Sequence, residues 1–423
     1  DGSLLGLITT NAMEVGVDVG ELDATVLTGF PGSIVSTWQQ SGRGGRGAND
    51  SMSVLVASDD PLDQYLMKHP EAFFRKDFEH ARISPNNPYI QKPHLLCAAY
   101  ELPLSMSDTN FFGPDLLWNV DELVKEGQLR VKQSYWHISP EVSYPAQKIN
   151  IRSVGQRIYT LVDEVSGAII ETIDEIGAFL QMHPGGTYIH QGVSFLVTDL
   201  DIESLTAYCV ELDLSYYTEA RDFTETRIIN EHRCRVAGNT VVHIGEVNVS
   251  TQVLGFRKKH RFTEMVLAEE NVSLPKLNYK TVSLWLDVPQ KALDHIRYHN
   301  LDLAGGLHAI EHAAIGILPL FAMCDRSDIG GISTPIHPDT GRAQVFIHDG
   351  HIGGVGISEL GYEEAEKLIE TTLEVVTECD CTEGCPGCVQ SPKCGSNNEP
   401  LDKDVARIIL KEMLNNGSID GQT

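Results

Sequence analysis

The chain has 423 residues, 42% hydrophobic and 22% charged, an ordinary globular composition that excludes disorder, collagen or coiled coil as its main content. Thirty-two basic residues against 59 acidic ones leave a net charge of −27. That excludes wholesale attraction to polyanions, leaves room for a local basic groove, and is also what a salt-adapted surface presents. No apolar run reaches the roughly 18 residues of a membrane span, and no charged-then-apolar leader follows Asp1, so no membrane partner and a cytoplasmic location are expected.

In chain order, LLGLITT (Leu4 to Thr10), ATVLTGFP (Ala24 to Pro31) and SMSVLVAS (Ser51 to Ser58) are short apolar runs separated by helical or loop segments. This pattern predicts a parallel sheet with helices outside. Three strands are too few for a complete doubly wound domain, so the chain is expected to open inside one. Pro61 to about Arg82 reads as helix, as does His94 to Leu104. Pro114 opens a further helix at its first turn, followed by a strand pair around LRVKQSYWHIS. Helices followed by a hairpin predict a winged helix, with a helical linker and hairpin as the alternative. From Ile151 to Phe262 short strands and turn signals predict a small barrel or sandwich. The remainder mixes an apolar helix after Gly305-Gly306, a strand, the turn GGVG (Gly353 to Gly356) and two amphipathic helices. The expected division is 1–85, 86–150, 151–262 and 263–423.

Five of the nine cysteines fall between Cys379 and Cys394, in the spacing C-x-C-x3-C-x2-C-x5-C. Thiolates are soft ligands suited to zinc, and a closed tetrahedral site needs four of them. Cys385-Pro-Gly-Cys388 forms a knuckle that aims two sulfurs at one ion. Cys381 and either Cys379 or Cys394 complete the set, and an iron–sulfur cluster is the alternative. No water-activating group is interleaved, so the ion is expected to be structural. His308-Ala-Ile-Glu311-His312 matches the inverted zinc-protease pattern H-x-x-E-H, but its continuously apolar flanks read as a core helix. The interval Arg221 to Phe262 carries eight basic and four acidic residues. Arg227, Arg233, Arg235 and the run Arg257, Lys258, Lys259 are candidates for phosphate contacts, with a solvated hairpin tip as the plain alternative.

TTNAMEVGVD (Thr9 to Asp18) and QQSGRGGR (Gln39 to Arg46) resemble motifs V and VI of superfamily 2 helicases. In such motors one RecA-like lobe cradles the phosphates of ATP, and the other reaches across with arginines that stabilise charge on the transferring phosphoryl group. The resemblance implies that Arg46 is that finger and Arg43 its assistant. It places Gly16, Asp18, Gln39 and Gly42 at the nucleotide, Asp18 facing the ribose, and Thr9, Thr10 and Asn11 on the nucleic-acid backbone. No G-x-x-x-x-G-K-[ST] and no D-E-x-[HD] occurs. The catalytic lysine and the magnesium ligands are therefore expected on a missing N-terminal helicase lobe.

Further stretches, HPGGTYIHQG, LHAIEHA, CDRSDIGGISTPIHP, DGHIGGVG and GCPGCVQSPKCG, extend the resemblance over nearly the whole chain. They resemble the MrfA-like group of DEAD/DEAH-type DNA helicases, which carry a C-terminal four-cysteine zinc domain. The fold class so implied is α/β and α+β multidomain: a remnant of a RecA-like parallel α/β lobe, a winged helix, a small β-rich module and a mixed zinc-binding domain. The implied function is that of an ATP-dependent 3′-to-5′ DNA helicase of DNA repair, acting on DNA that is single-stranded or carries a 3′ tail, with structural zinc, ATP and magnesium as cofactors. The alternative is a stand-alone zinc-containing nucleic-acid-binding module with an inactive motor remnant.

Overall fold

The computed structural model describes residues 5–15, 22–45, 50–75, 83–149 and 157–415. Near the start, strands β1 (Ala24–Thr28) and β2 (Met52–Val56) pair in parallel, Ala24 opposite Met52 and Thr28 opposite Val56. Helix α1 (Ile34–Ser41) connects them, capped by the Ser33 hydroxyl, which accepts the Ser36 N–H. The expected strand at Leu4 to Thr10 is not formed over the described residues 5–10. Leu5 and Ile8 face solvent there, and no strand among the described residues pairs with this segment. Helix α2 (Pro61–Lys68) starts on an Asp60 cap with Pro61 in its first turn. Its buried Asp63 accepts the Phe30 and Ser58 N–H groups, fastening the ends of both strands to the helix.

The winged helix forms as expected. Helices α3 (Pro88–Glu101) and α4 (Leu116–Lys125) enclose Leu95, Leu116, Val120 and Leu123. The wing is β3 (Leu129–Lys132) paired with β4 (Tyr135–Ile138). Gln133 and Ser134 turn it with φ of 51° and 66°, the left-handed pair that suits a two-residue hairpin.

Next comes a five-stranded sheet of β5 (Ile158–Asp163), β6 (Ile169–Asp174), β7 (Thr187–His190), β8 (Val193–Asp201) and β9 (Thr206–Glu211), in the order β6-β5-β9-β8-β7. Helix α5 (Glu175–Gln181) covers one face and buries Phe179 against Tyr159. Two long strands follow, β10 (Tyr216–Ala237) and β11 (Thr240–His260), then β12 (Val266–Asn271), β13 (Leu277–Asp287), β14 (Ile329–Thr334) and β15 (Gln344–Asp349). They form a second sheet in the order β10-β11-β13-β15-β14, with β12 beside β11. The expected division at 262/263 therefore falls inside a sheet. β11 reaches two cores: Val253 packs with Tyr159 and Phe179, while Val242 and Ile244 pack in the larger C-terminal core.

That larger core surrounds helix α6 (Leu303–Ile317), buried on nearly every side. It continues to Leu320 as a stretch long and apolar enough to cross a membrane, but most of it is enclosed by the rest of the chain. Gly306 lets the closing helix approach: a Cβ there would lie 2.3 Å from Val405 Cγ1. Helices α7 (Ile357–Glu363), α8 (Ala365–Glu378) and α9 (Lys403–Leu414) complete the domain. Asp349, fully buried at the end of β15, fastens the GGVG turn. Its carboxylate accepts N–H bonds from Val355 (2.6 Å), Gly356 (3.0 Å), Ile357 (3.3 Å) and Ser358 (2.8 Å), and the Ser358 hydroxyl as well.

Replacing Asp349 with alanine strands those four donors, three of them buried. The unfolding free energy should drop by about 3 kcal/mol or more, measured by urea denaturation; a change under about 1 kcal/mol would mean that the turn is held by packing alone.

Candidate functional site

The two helicase-like segments meet at Glu14. Its carboxylate accepts the Ser36 hydroxyl (2.5 Å) and the Gln40 side-chain amide (3.1 Å), and its backbone carbonyl accepts the Arg43 guanidinium. Arg43 is half-buried by this contact, directly after α1. Gly42 caps α1, its N–H donating to the Trp38 carbonyl at 2.8 Å. Gly45, at φ 68°, donates to Leu22, so the glycine-rich loop lies against the strand side of the lobe. Gln39 is exposed. Thr9, Thr10 and Asn11 are exposed too, and the Thr10 hydroxyl accepts the Ala12 N–H at the start of a short 3-10 turn. Gly16, Asp18 and Arg46 lie outside the described residues.

The basic run of the hairpin is neutralised within the fold. Arg257 is buried, pairs with Glu269 (3.1 Å) and donates to the Gly395 carbonyl. Lys258 pairs with Glu270 and Lys259 with Glu219. Further along the same hairpin, Arg227 pairs with Asp339, Arg235 with Glu366, and Arg233 lies over the Tyr362 ring. The run lies at the end of β11 remote from the turn between Ala237 and Thr240, and Arg257 is buried in the sheet, so it is not a solvated hairpin tip.

Of the five clustered cysteines, the fold gathers four. Cys379 follows α8 directly. The sulfurs stand 3.5 Å apart for Cys379 and Cys381, 3.4 Å for Cys379 and Cys385, 3.5 Å for Cys381 and Cys388, and 3.7 Å for Cys385 and Cys388. Zinc–sulfur bonds of about 2.3 Å at tetrahedral angles put sulfurs about 3.8 Å apart, so the cradle fits one zinc. Four thiolates around a divalent ion leave a net negative cluster. Lys403, buried at the start of α9, answers it by donating to Cys381 Sγ (3.2 Å) and to the Cys379 and Cys381 carbonyls. Burial pushes the Cys381 thiol up, but this ammonium and the neighbouring sulfurs outweigh it and bring it down to about 7.

Cys394 is not in that cradle. It sits with His308 and His312, its Sγ 3.4 Å from His308 Nε2. Burial again acts to raise this thiol. Hydrogen bonds from His308, His312, the Ser396 hydroxyl and the Asn398 N–H win, holding it at about 4, and His308 rises to about 9. The α/β segment that opens the chain touches the cradle's edge: Lys68 donates to the Glu378 carbonyl, and His69 Nε2 meets the Glu378 carboxylate at 2.8 Å.

Residues 310–389 match the MrfA Zn-binding domain, and residues 83–154 match the winged helix domain of the ATP-dependent helicase HRQ1. The chain is 33% identical over 399 residues to the ATP-dependent helicase YprA of Bacillus subtilis, covering 92% of this chain and 52% of that protein. It is 30% identical over 433 residues to the ATP-dependent helicase HRQ1 of Saccharomyces cerevisiae, covering 98% of this chain and 40% of that protein. A crystal structure of the DUF1998 helicase MrfA bound to DNA superposes with a TM-score of 0.57 at 31% identity, over 95% of this chain and 53% of that one. The chain carries the zinc-binding and winged-helix domains of MrfA-like helicases and is homologous to them over nearly its whole length. It spans about half the length, or less, of these relatives.

For an MrfA-like chain, two features of the site escape the sequence pattern. Lys403 carries no motif, and only its burial beside the sulfurs reveals it. The partnership of Cys394 with His308 joins residues 86 positions apart.

Lys403→Met should keep one zinc in the four-cysteine cradle but release it about 10- to 100-fold more readily to a chelator, the usual effect of removing a supporting contact. Cys385→Ser should lose that zinc and solubility together, because metal binding is much of the folding free energy of so small a knuckle. Elemental analysis of the purified variants and timed chelator competition read both; unaltered release from Lys403→Met would remove the ammonium from the site.

Proposed function

We propose that these 423 residues are the part of an ATP-driven 3′-to-5′ DNA helicase, serving DNA repair in the cytoplasm, that carries the second motor lobe, the winged helix and the zinc domain. The observation that carries this reading is Glu14, which ties the segment beginning at Thr9 to the loop that follows α1 through Ser36, Gln40 and Arg43. A switch that senses nucleotide on one segment and DNA on the other requires such a tie. In this reading Arg46 stabilises charge developing on the transferring phosphoryl group and Arg43 assists. Gly16, Asp18, Gln39 and Gly42 face the nucleotide, while Thr9, Thr10 and Asn11 touch the DNA backbone. A first lobe outside these residues supplies the phosphate-cradling loop and the magnesium ligands. The names of the relatives support the ATP-dependent part, and the DNA in the MrfA crystal supports the choice of nucleic acid.

The link from Lys68 and His69 to Glu378 gives the motor a route to the zinc domain, since Glu378 directly precedes Cys379. In this role the zinc cradle guides the strand leaving the motor. The strand enters as single-stranded DNA or as a 3′ tail.

Arg46→Ala, in the protein together with its first lobe, should leave ATP binding largely intact and lower DNA-stimulated turnover by on the order of 10³. Near-normal turnover sinks the assignment. Hydrolysis that is absent even in the unmutated assembly would favour a nucleic-acid-binding module with an inactive motor. The 423-residue chain by itself should bind single-stranded DNA weakly, with affinity falling steeply as salt rises, measurable by fluorescence anisotropy. No binding at low salt would count against a DNA path over these modules.

A further inference from the structure

The H-x-x-E-H sequence on α6 has no part in the four-cysteine cradle, yet its two histidines are arranged as ligands. His308 and His312 lie one turn apart on one helix face, with ring centroids 4.3 Å apart. Each is fixed from behind by a backbone carbonyl. His308 Nδ1 stands 2.8 Å from the Pro400 oxygen, and His312 Nδ1 stands 2.8 Å from the Val389 oxygen. A carbonyl only accepts, so both Nδ1 atoms carry their protons and both Nε2 atoms are left to face inward. That second contact, imidazole N–H to a backbone carbonyl, is the usual support of a metal-bound histidine.

Cys394 closes the group. Its sulfur is 3.4 Å from His308 Nε2, and the three candidate ligand atoms all lie within 4.8 Å of one another. Zinc–sulfur and zinc–nitrogen bonds of about 2.3 and 2.0–2.1 Å at a tetrahedral angle give a sulfur–nitrogen separation of about 3.5 Å. The Asn398 N–H donates to the same sulfur at 3.2 Å, as expected of a supported thiolate. Cys394 and His312 are both buried.

We infer that His308, His312 and Cys394 form a second zinc site, separate from the four-cysteine cradle, with a solvent molecule as fourth ligand. Two imidazoles and one thiolate form a borderline-soft donor set that suits zinc. On binding, the ion displaces the proton held between Nε2 and Sγ, and three protein–zinc bonds form with no change of oxidation state. The ion is structural and not hydrolytic. Glu311, the acid of the H-x-x-E-H pattern, is turned away: it packs against Gly331, hydrogen-bonds to Ser333 and is not among the clustered ligand atoms. What the ion gains for the fold is a staple. It fixes the loop from Val389 to Pro400 onto the core helix, immediately beyond Cys388.

The test is metal content of the purified 423-residue chain by inductively coupled plasma mass spectrometry, unmutated and as His308→Gln, Cys394→Ser and Cys388→Ser. Two zinc ions per chain are expected in the unmutated protein and one in each variant. His308→Gln and Cys394→Ser leave the four-cysteine cradle intact, so they remain informative if Cys388→Ser does not fold. Cobalt exchange supplies an independent readout: visible d–d bands of a site with one sulfur and two nitrogens should be lost in His308→Gln while the four-sulfur bands persist. One zinc per chain in the unmutated protein, undiminished in His308→Gln and Cys394→Ser, overturns the inference. A metal other than zinc released by those two substitutions overturns it as well.

Discussion

Burial of helix Leu303–Ile317 on nearly all sides is the constraint on which the C-terminal half depends. A helix apolar around its circumference has no face it can leave in water, so neighbours must cover it from every direction. Each Leu or Ile it buries contributes about 1.5–3 kcal/mol. The contribution requires close approach, and the sequence provides small residues for it. Gly306 admits Val405 of the closing helix, Gly316 admits Pro61 of the first described α/β segment, and Gly331 of the sheet lies against Ile315 and Glu311. A side chain at any of these positions would push a neighbour off the helix. The same helix carries His308 and His312, whose ring nitrogens reach the carbonyls of Pro400 and Val389. The loop that follows the zinc knuckle is thereby positioned by the core.

Charge is organised on the same principle of local satisfaction. In a chain with a net charge of −27, basic residues are scarce, and many of those in the long hairpin are engaged by acids of the fold. Arg257 is buried and Lys258 and Lys259 are largely covered, so these pairs satisfy charges that the fold has taken out of water and remove them from the surface. A guanidinium that holds Glu269 and the Gly395 carbonyl, as Arg257 does, is not available to a phosphate without breaking both contacts. The DNA-facing surface proposed for this chain consequently rests on the exposed Thr9, Thr10 and Asn11 and not on the basic run.

The sequence was most readable where local chemistry decides structure. Pro61 stands in a first helical turn, and the winged helix follows from helices ending in a hairpin, although its first helix begins at Pro88 and runs through Pro93, six residues ahead of the expected start at His94. It was least readable along Tyr216 to His260. There a hairpin of two strands over twenty residues long has the pattern of several short ones, because glycines that resemble turns sit inside the strand. Gly245 and Gly255 are positions of close backbone approach, where a Cβ would come within 2.2 Å of a partner strand's carbonyl oxygen. Gly255 lies at a register shift opposite Arg221, and Gly245 lies beside the shifts near Asn230. Such bulges bend a strand without ending it. The cysteine spacing showed a metal site but could not choose between Cys379 and Cys394, since both are within reach along the chain. Only the return of the loop to helix Leu303–Ile317 separates them.

Lys403 shows how the metal cradle and the core become one unit. The helices leading into the cysteines and the loop itself are strongly acidic, with nine acids and one lysine between Val355 and Glu383. A zinc bound by four thiolates adds further negative charge there. A buried ammonium is itself unfavourable unless paired, so Lys403 and the metal cluster stabilise each other and neither is favourable in that environment alone. Lys403 is also the first residue of the helix Lys403–Leu414, whose Val405 packs against Gly306. Removing the metal therefore loosens the thiolate cluster that neutralises this buried cation at the start of a core helix, leaving it the Cys379 and Cys381 carbonyls and the Cys381 sulfur. The disturbance passes to helix Leu303–Ile317 through a contact that has no room to adjust. The zinc site is in this sense part of the hydrophobic core's stability, although the sulfurs and the buried glycines are far apart in sequence.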